Sequence, residues 1–306
     1  MKKNNASYTA QIMALYRAME TRRKSDGAPS QGAAGSPTGG RLFTDDYAHL
    51  FLSGRLRLAS RIAAFPAGER WLYRYMQRRI PGALASGIAR TRYIDDLLEG
   101  RLAGGARQVI LLGAGFDTRA LRLPALQQVG VLEIDHPDTA ERKKRLLQKV
   151  LRQLPAQVRF LSIDFNRQGL AELFRQQGIV ISQPTVILWE GVTNYLQRAA
   201  VDDVLRLVGR FPAGSAMIFT YVHRRVLEEP AGWYGAERLI ADLERIEEKW
   251  TCGFLPEELP DYLRGFGLRL VEDLGAAEYR ERYMPERTEL LRGYEFYRVA
   301  IAEVGH

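Results

Sequence analysis

Gln108-Val109-Ile110-Leu111-Leu112-Gly113-Ala114-Gly115-Phe116-Asp117 is a run of apolar residues that ends in two glycines and an acid. A short apolar run bounded by glycine reads as a buried strand, here Gln108 to Leu112. The glycines let the backbone turn tightly and let a ligand approach without meeting a Cβ. The residues that follow can start a helix, so the stretch predicts the strand-turn-helix unit at which nucleotide-like ligands bind. Thr118 stands where a pyrophosphate-gripping G-x-G-x-x-G would place its third glycine, which weakens a dinucleotide reading. A turn that uses glycine only for its geometry is the simpler use of the same residues.

Downstream of this unit the sequence alternates short apolar runs with amphipathic segments. Four further strands are predicted, at Val129 to Ile134, Val158 to Ser162, Thr185 to Trp189 and Ala216 to Tyr221. The helix between the second and third spans Pro137 to Leu154, with proline in the first turn and Leu146, Leu147, Val150 and Leu151 at helical spacing. Near-continuous apolar strands with helical crossovers define an α/β, Rossmann-like, mostly parallel sheet covered on both faces. The tail departs from that rhythm. It offers a helical insert from Trp233 to Trp250, another helix from Pro256 to Phe266, and strands at Leu268 to Leu274 and Glu295 to Ala302, expected as an antiparallel pair at one edge.

Upstream, Tyr8 to Arg23 carries a helical stripe of Ile12, Leu15, Tyr16 and Met19. Ser25 to Gly40 holds five Gly, two Pro, three Ser and three Ala, a loop composition read here as a flexible lid (residues 25–40). Thr44 and Asp45 suit the N-cap of a helix through Tyr47, Leu50 and Phe51, and Gly87 to Leu98 forms another helical segment. The division expected is a helical cover over 1–104 and a core over 105–306 with a cap inserted at about 225–290.

The whole-chain properties narrow the function classes. No run approaches the roughly 20 apolar residues of a membrane span, and Met1-Lys2-Lys3-Asn4-Asn5 is not followed by the apolar stretch of a secretory signal, so a cytoplasmic protein is expected. The single Cys252 and four scattered histidines make no metal-ligand set. The net charge of +8 is spread from Arg17 to Arg298 among 36 acids, which argues for solvated helix faces over nucleic acid, and an anionic small substrate would fit the charge as well.

Candidate site residues sit at strand ends, where open α/β sheets bind ligands. Asp135 ends the second strand and suits the two hydroxyls of a ribose. Glu133 shares its face, and capping of the Pro137 helix is the competing role for Asp135. Asp164 and Phe165 end the third strand, where a carboxylate and an apolar ring suit a purine; Asp164 is equally suited to cap the helix near Leu170. Glu190, after the fourth strand, would be a carboxylate at a buried sheet edge, which requires a cation: the ammonium of an amino-acid ligand, or an arginine of this chain.

Jointly these segments resemble the leucine carboxyl methyltransferase-like family, which includes bacterial O-methyltransferases of secondary metabolism. The resemblance runs from about Tyr16 to Val304. It rests on Arg41-Leu42-Phe43-Thr44-Asp45-Asp46-Tyr47-Ala48, Ala89-Arg90-Thr91-Arg92-Tyr93-Ile94-Asp95-Asp96, Leu112 to Arg119, Glu133-Ile134-Asp135-His136-Pro137 and Trp189-Glu190-Gly191-Val192-Thr193-Asn194-Tyr195-Leu196. The resemblance implies S-adenosyl-L-methionine as cofactor and a seven-stranded sheet whose last strand is antiparallel. It further implies that Arg90, with Arg92 as competitor, holds the cofactor's carboxylate. Gly113, Gly115 and Asp117 would line its methionine part, Asp135 would bind ribose, Asp164 with Phe165 adenine, and Glu190 the ammonium. Arg90 and Arg92 are apt because a guanidinium fork matches a carboxylate with two hydrogen bonds.

Two departures from the family pattern concern the lid. The Gly/Ser/Ala stretch replaces a shorter link, and Asp45-Asp46-Tyr47-Ala48 stands for Asp-Pro-Tyr-Ala. The acceptor is expected to be a small molecule methylated on a carboxyl or hydroxyl oxygen. A protein C-terminal carboxylate and a non-catalytic nucleotide-binding module are the alternatives. A hydroxyl acceptor benefits from a base, for which His223 is the candidate, with Tyr195 and Tyr221 as acceptor contacts.

Overall fold

The computed structural model describes residues 6–22, 41–165, 167–246, 248–285 and 292–305. The stretch read as a lid lies outside the described residues. Seven strands form one sheet: β1 Gln108–Leu112, β2 Gly130–Asp135, β3 Val158–Ser162, β4 Thr185–Trp189, β5 Ala216–Val222, β6 Leu268–Gly275 and β7 Tyr297–Val304. Their spatial order is β3-β2-β1-β4-β5-β7-β6. The first five pair in parallel, and β7 lies between β5 and β6, antiparallel to both.

The helices are α1 Ala6–Arg22, α2 Gly54–Ile62, α3 Pro66–Arg79, α4 Ala83–Ala103, α5 Arg119–Arg122, α6 Pro137–Gln148, α7 Leu170–Gln176, α8 Arg198–Val208, α9 Arg225–Glu228, α10 Ala236–Arg245, α11 Leu259–Arg264 and α12 Ala276–Tyr283. Strand alternation sorts the core into two faces. Val109, Leu111, Val186, Leu188 and Ile218 pack with Tyr93, Ile94 and Leu98 of α4. Ile110, Leu112, Ile187, Trp189 and Phe219 pack with Leu173 of α7, Val204 of α8 and Leu263 of α11. Each of these side chains is nearly or fully buried, and a large-to-Ala change among them costs about 2–5 kcal/mol. A third cluster, Val222, Val226, Leu243, Trp250, Phe296 and Tyr297, joins the end of β5 to the late insert.

Several expectations are corrected. The Thr44–Asp45 cap opens only a one-turn helix, Ala48–Phe51, although Asp45 Oδ1 does accept the Tyr47 and Ala48 N–H groups. The helix from Pro137 stops at Gln148, after which Val150 and Leu151 both close turns onto the Leu147 carbonyl. Among its described residues the Trp233–Trp250 segment is helical only over α10. Gly235 before it has φ +77, and a Cβ there would lie 2.4 Å from the Pro81 carbonyl oxygen, so the chain turns at that point. Between β6 and β7 lies α12, in which Tyr279 and Tyr283 share a face and pack against Tyr93, the first stacked at a ring distance of 6.0 Å and the second tilted at 6.5 Å.

Candidate active site

The C-terminal ends of β1, β2, β4 and β5 converge, and the predicted residues are distributed around them. The Gly113 N–H donates to the Ile134 carbonyl at 2.7 Å, which locks the turn to β2. Gly113 has φ +63, and a Cβ there would come within 2.3 Å of Val192 Cγ2, so the loop after β4 packs directly on the turn. Asp135 accepts the Gly115 N–H on one carboxylate oxygen and the His136 N–H on the other, at 2.5 and 2.6 Å. Burial raises its pKa, against those hydrogen bonds. Capping of α6 falls instead to His136, whose ring accepts the Asp138 N–H. Glu133 faces the same side as Asp135 but is closed in a buried pair with Lys143 at 2.6 Å, where burial lifts its carboxyl to about 7.

Glu190 is not alone. Arg90 of α4 donates to one of its oxygens and Arg119 to the other, both at 2.9 Å, and Arg90 also lies over the Tyr297 ring at 4.6 Å. Arg119, with its side chain 4% exposed, further pairs with Asp117 and, at 2.7 Å, with Asp95, which Arg122 also holds at 2.7 Å. Three arginines and three acids thus balance in a buried network, the condition under which such charges are tolerated. Burial opposes ionisation of Asp117 and Glu190, but the guanidinium groups prevail: Asp117 is held at about 2 by Arg119, Lys143 and Arg17, and Glu190 below its usual value by Arg119 and Arg90. Arg92, two residues along α4, points elsewhere, to Asp96 at 2.9 Å and the Leu42 carbonyl at 3.1 Å.

Asp164 and Phe165 follow β3. α7 starts at Leu170 with Gly169 before it and no side-chain cap, so Asp164 does not cap that helix. Its carboxylate lies 3.5 Å from Arg167, and the half-buried Phe165 packs against the core of the α7–α8 face.

The three acceptor-side candidates separate. Tyr221 is fully buried on the α8 face of β5 and donates to Asp273 at 2.6 Å, so it does not join the site. The strand's alternation puts Thr220 there instead, accepting the Gly191 N–H at 2.7 Å. His223 packs against the Trp233 ring, tilted at 4.8 Å, and burial lowers its pKa. Trp233 in turn meets Phe296, and Phe296 meets Trp250, so two rings stand between His223 and Trp250. The half-buried Tyr195 lies beside Trp250, Asn194, Glu248 and Tyr297, and desolvation raises its hydroxyl pKa.

α1 covers these elements. Its Ala10 would meet a Cβ on Gly115 at 3.7 Å, the Met13 sulfur accepts from Arg90 at 3.5 Å, and Arg17 donates to the Phe116 carbonyl at 2.5 Å. Thr9 donates to Glu248 at 2.6 Å. Among the described residues no group of three or more His, Cys, Asp or Glu side chains could hold a metal ion, and no helix is long and apolar enough to cross a membrane.

A sheet of this order, with a glycine turn after β1 and an acid after β2, is the fold of the class I methyltransferases. The sequence profile described as leucine carboxyl methyltransferase matches residues 10–209. A relative from Mycolicibacterium smegmatis, provisionally named an S-adenosyl-L-methionine-dependent methyltransferase, is 33% identical over 215 residues, covering 67% of this chain and 70% of its own. One from Bacillus subtilis, YktD, similarly named, is 26% identical over 210 residues, covering 68% and 69%. The fold is shared with a methyltransferase structure from Thermobifida fusca at TM-score 0.54 and 18% identity, covering 96% of this chain and 95% of that one. The chain belongs to the leucine carboxyl methyltransferase family and is an S-adenosylmethionine-dependent methyltransferase.

Sequence reasoning did not single out Arg119, Asp95, Tyr297 or Glu248. Arg119 and Asp95 lie inside the motifs that carry the resemblance, Arg119 two residues after Asp117. Glu248 sits in an irregular segment with no motif around it.

Proposed function

We propose that this chain is an O-methyltransferase that transfers the methyl group of S-adenosylmethionine to an oxygen of a small acceptor. The observation that carries the reading is the largely buried Arg90–Glu190 ion pair, 2.9 Å across, beside the glycine turn. A zwitterionic amino-acid group fits there. Its carboxylate can take Arg90 and its ammonium Glu190, so one ion pair becomes two with no change in net charge. The glycine turn gives the ligand backbone contact at Gly113 and Gly115, and Asp117 holds Arg119 against Glu190 from below. Asp135 retains lone pairs on both oxygens for ribose hydroxyls, and Asp164 with Phe165 is the adenine end.

The cofactor supplies a sulfonium-bound methyl group, and the residues of this chain orient it, align the acceptor and exclude water. Enclosure favours a small acceptor over the C-terminus of a folded protein. α1 lies over the glycine turn and is tied to the late insert through Thr9 and Glu248, while α10, Trp233 and Trp250 close the side next to Tyr297. The test supplies methyl-labelled cofactor with small-metabolite extracts and, separately, with intact proteins and leucine-terminated peptides. Label in the small-molecule fraction is expected, and label confined to protein or peptide would overturn the reading.

A further inference from the structure

Next to Tyr297, the buried side-chain oxygens Glu248 Oε1 and Asn194 Oδ1 gather without hydrogen-bond partners, and the buried Trp250 N–H, which lies against the Tyr195 hydroxyl, makes no well-aligned hydrogen bond. Asn194 is 1% exposed and Trp250 8%. All three residues stand beside the Tyr195 hydroxyl, and the Trp250 and Tyr297 rings are 6.2 Å apart. A single buried polar atom left unmet costs about 1–3 kcal/mol, so a group of them at one place marks a surface built to be completed by something else. The positions are fixed by the backbone. The Thr251 N–H donates to the Asn194 carbonyl at 2.7 Å and the Thr251 hydroxyl to the Leu196 carbonyl at 2.9 Å, which holds the Glu248–Cys252 segment against the loop after β4. The other oxygen of Glu248 is engaged by Thr9 of α1.

We infer that Glu248, Trp250, Asn194 and Tyr195 form the acceptor end of the site, that Glu248 is the general base, and that the acceptor is a neutral hydroxyl compound, a phenol or alcohol, not a carboxylate. The inference rests on the methyltransferase reading above and narrows its acceptor. Among the described residues Glu248 has no cationic partner, so an anionic acceptor would meet an uncompensated like charge. A hydroxyl instead donates to Glu248 Oε1 while its oxygen or a neighbouring acceptor atom takes the Trp250 N–H. As the acceptor oxygen bonds to the methyl carbon, its proton passes to Glu248 Oε1. The methyl–sulfur bond breaks with its electron pair left on sulfur, so sulfonium and carboxylate charges disappear together. Burial raises the Glu248 carboxyl above its ordinary value, which brings a carboxylate base closer to neutral.

The test uses the whole protein, methyl-labelled cofactor, and a matched probe pair, 1-naphthol and 1-naphthoate. Label is expected in naphthol only. Glu248→Gln is expected to lower kcat about 100-fold or more, with the naphthol KM within about threefold and the calorimetric affinity for S-adenosylhomocysteine unchanged. Trp250→Phe, which keeps the ring and removes the N–H, is expected to raise KM more than it lowers kcat, and guards against a folding defect specific to position 248. Label in naphthoate, label in neither probe, or full turnover by Glu248→Gln overturns the inference. Failure of the unaltered protein to bind S-adenosylhomocysteine would instead break the methyltransferase site itself, so the two failures are told apart.

Discussion

Two groups of polar side chains near Tyr297, one around Arg90 and one around Glu248, are built on opposite principles. In the Arg90 group, six buried or half-buried charges are matched: Arg90, Arg119 and Arg122 against Glu190, Asp117 and Asp95. In the Glu248 group, polar atoms are buried unmatched. The first arrangement is stable without a ligand and admits a zwitterion by exchanging partners. The second is left unmet until an acceptor supplies hydrogen bonds. A site of this kind keeps its cofactor end rigid and leaves its acceptor end to be completed by the substrate.

The comparison breaks most visibly at Arg119. Arg119→Ala strips a shared partner from three carboxylates and is expected to cost about 3–5 kcal/mol in urea denaturation, as for a buried pair deprived of one member. A loss below about 1 kcal/mol would mean that the network is not holding the cofactor end together.

A smaller effect follows from Asp117. Its carboxyl is held at about 2, below the ordinary 3.8, so its stabilisation is complete above about pH 4 and is lost as the pH falls through 2. The difference corresponds to about 2 kcal/mol. Denaturation midpoints of the unaltered protein between pH 5 and pH 2 should therefore fall more steeply than those of Asp117→Asn, and parallel curves would remove Arg119 as the cause.

The smallest change sharpens the contrast by leaving the site alone. Arg79 pairs with Asp242 at 2.8 Å on the surface, with the arginine side chain 47% exposed. Arg79→Ala should cost less than about 1 kcal/mol, and a loss comparable to that of Arg119→Ala would show that burial does not set the value of these pairs.

How legible each region was in the sequence follows from the same contrast. β1 and β4 have their expected bounds because near-continuous apolar runs end sharply at glycine or acid, and β3 has them although Arg159 and Ser162 interrupt its apolar residues, because proline precedes it and an acid follows it closely. The cofactor end is assembled from short linear motifs, each carried on a strand end or on α4, so its candidates could be named one by one. What could not be read was pairing. Nothing local says that Arg119 reaches Glu190, or that Arg90 and not Arg92 faces it, because that depends on how α4 is rotated against the sheet. Tyr221 reads from the sequence as an acceptor contact at the end of the fifth strand, yet it stands one step of strand alternation from Thr220 and so on the other face. Glu248 was unreadable for a stronger reason. Its partner Thr9 lies 239 positions away, and the segment has neither helical nor strand periodicity.

The central claim is that the Arg90–Glu190 pair is the amino-acid end of the cofactor site. Titration calorimetry with S-adenosylmethionine on Arg90→Ala, Glu190→Ala and Arg92→Ala tests it directly. The first two should each bind about 1–3 kcal/mol more weakly, as expected for a charged hydrogen bond removed, and Arg92→Ala should bind as the unaltered protein does. Unchanged affinity in both Arg90→Ala and Glu190→Ala would contradict the account.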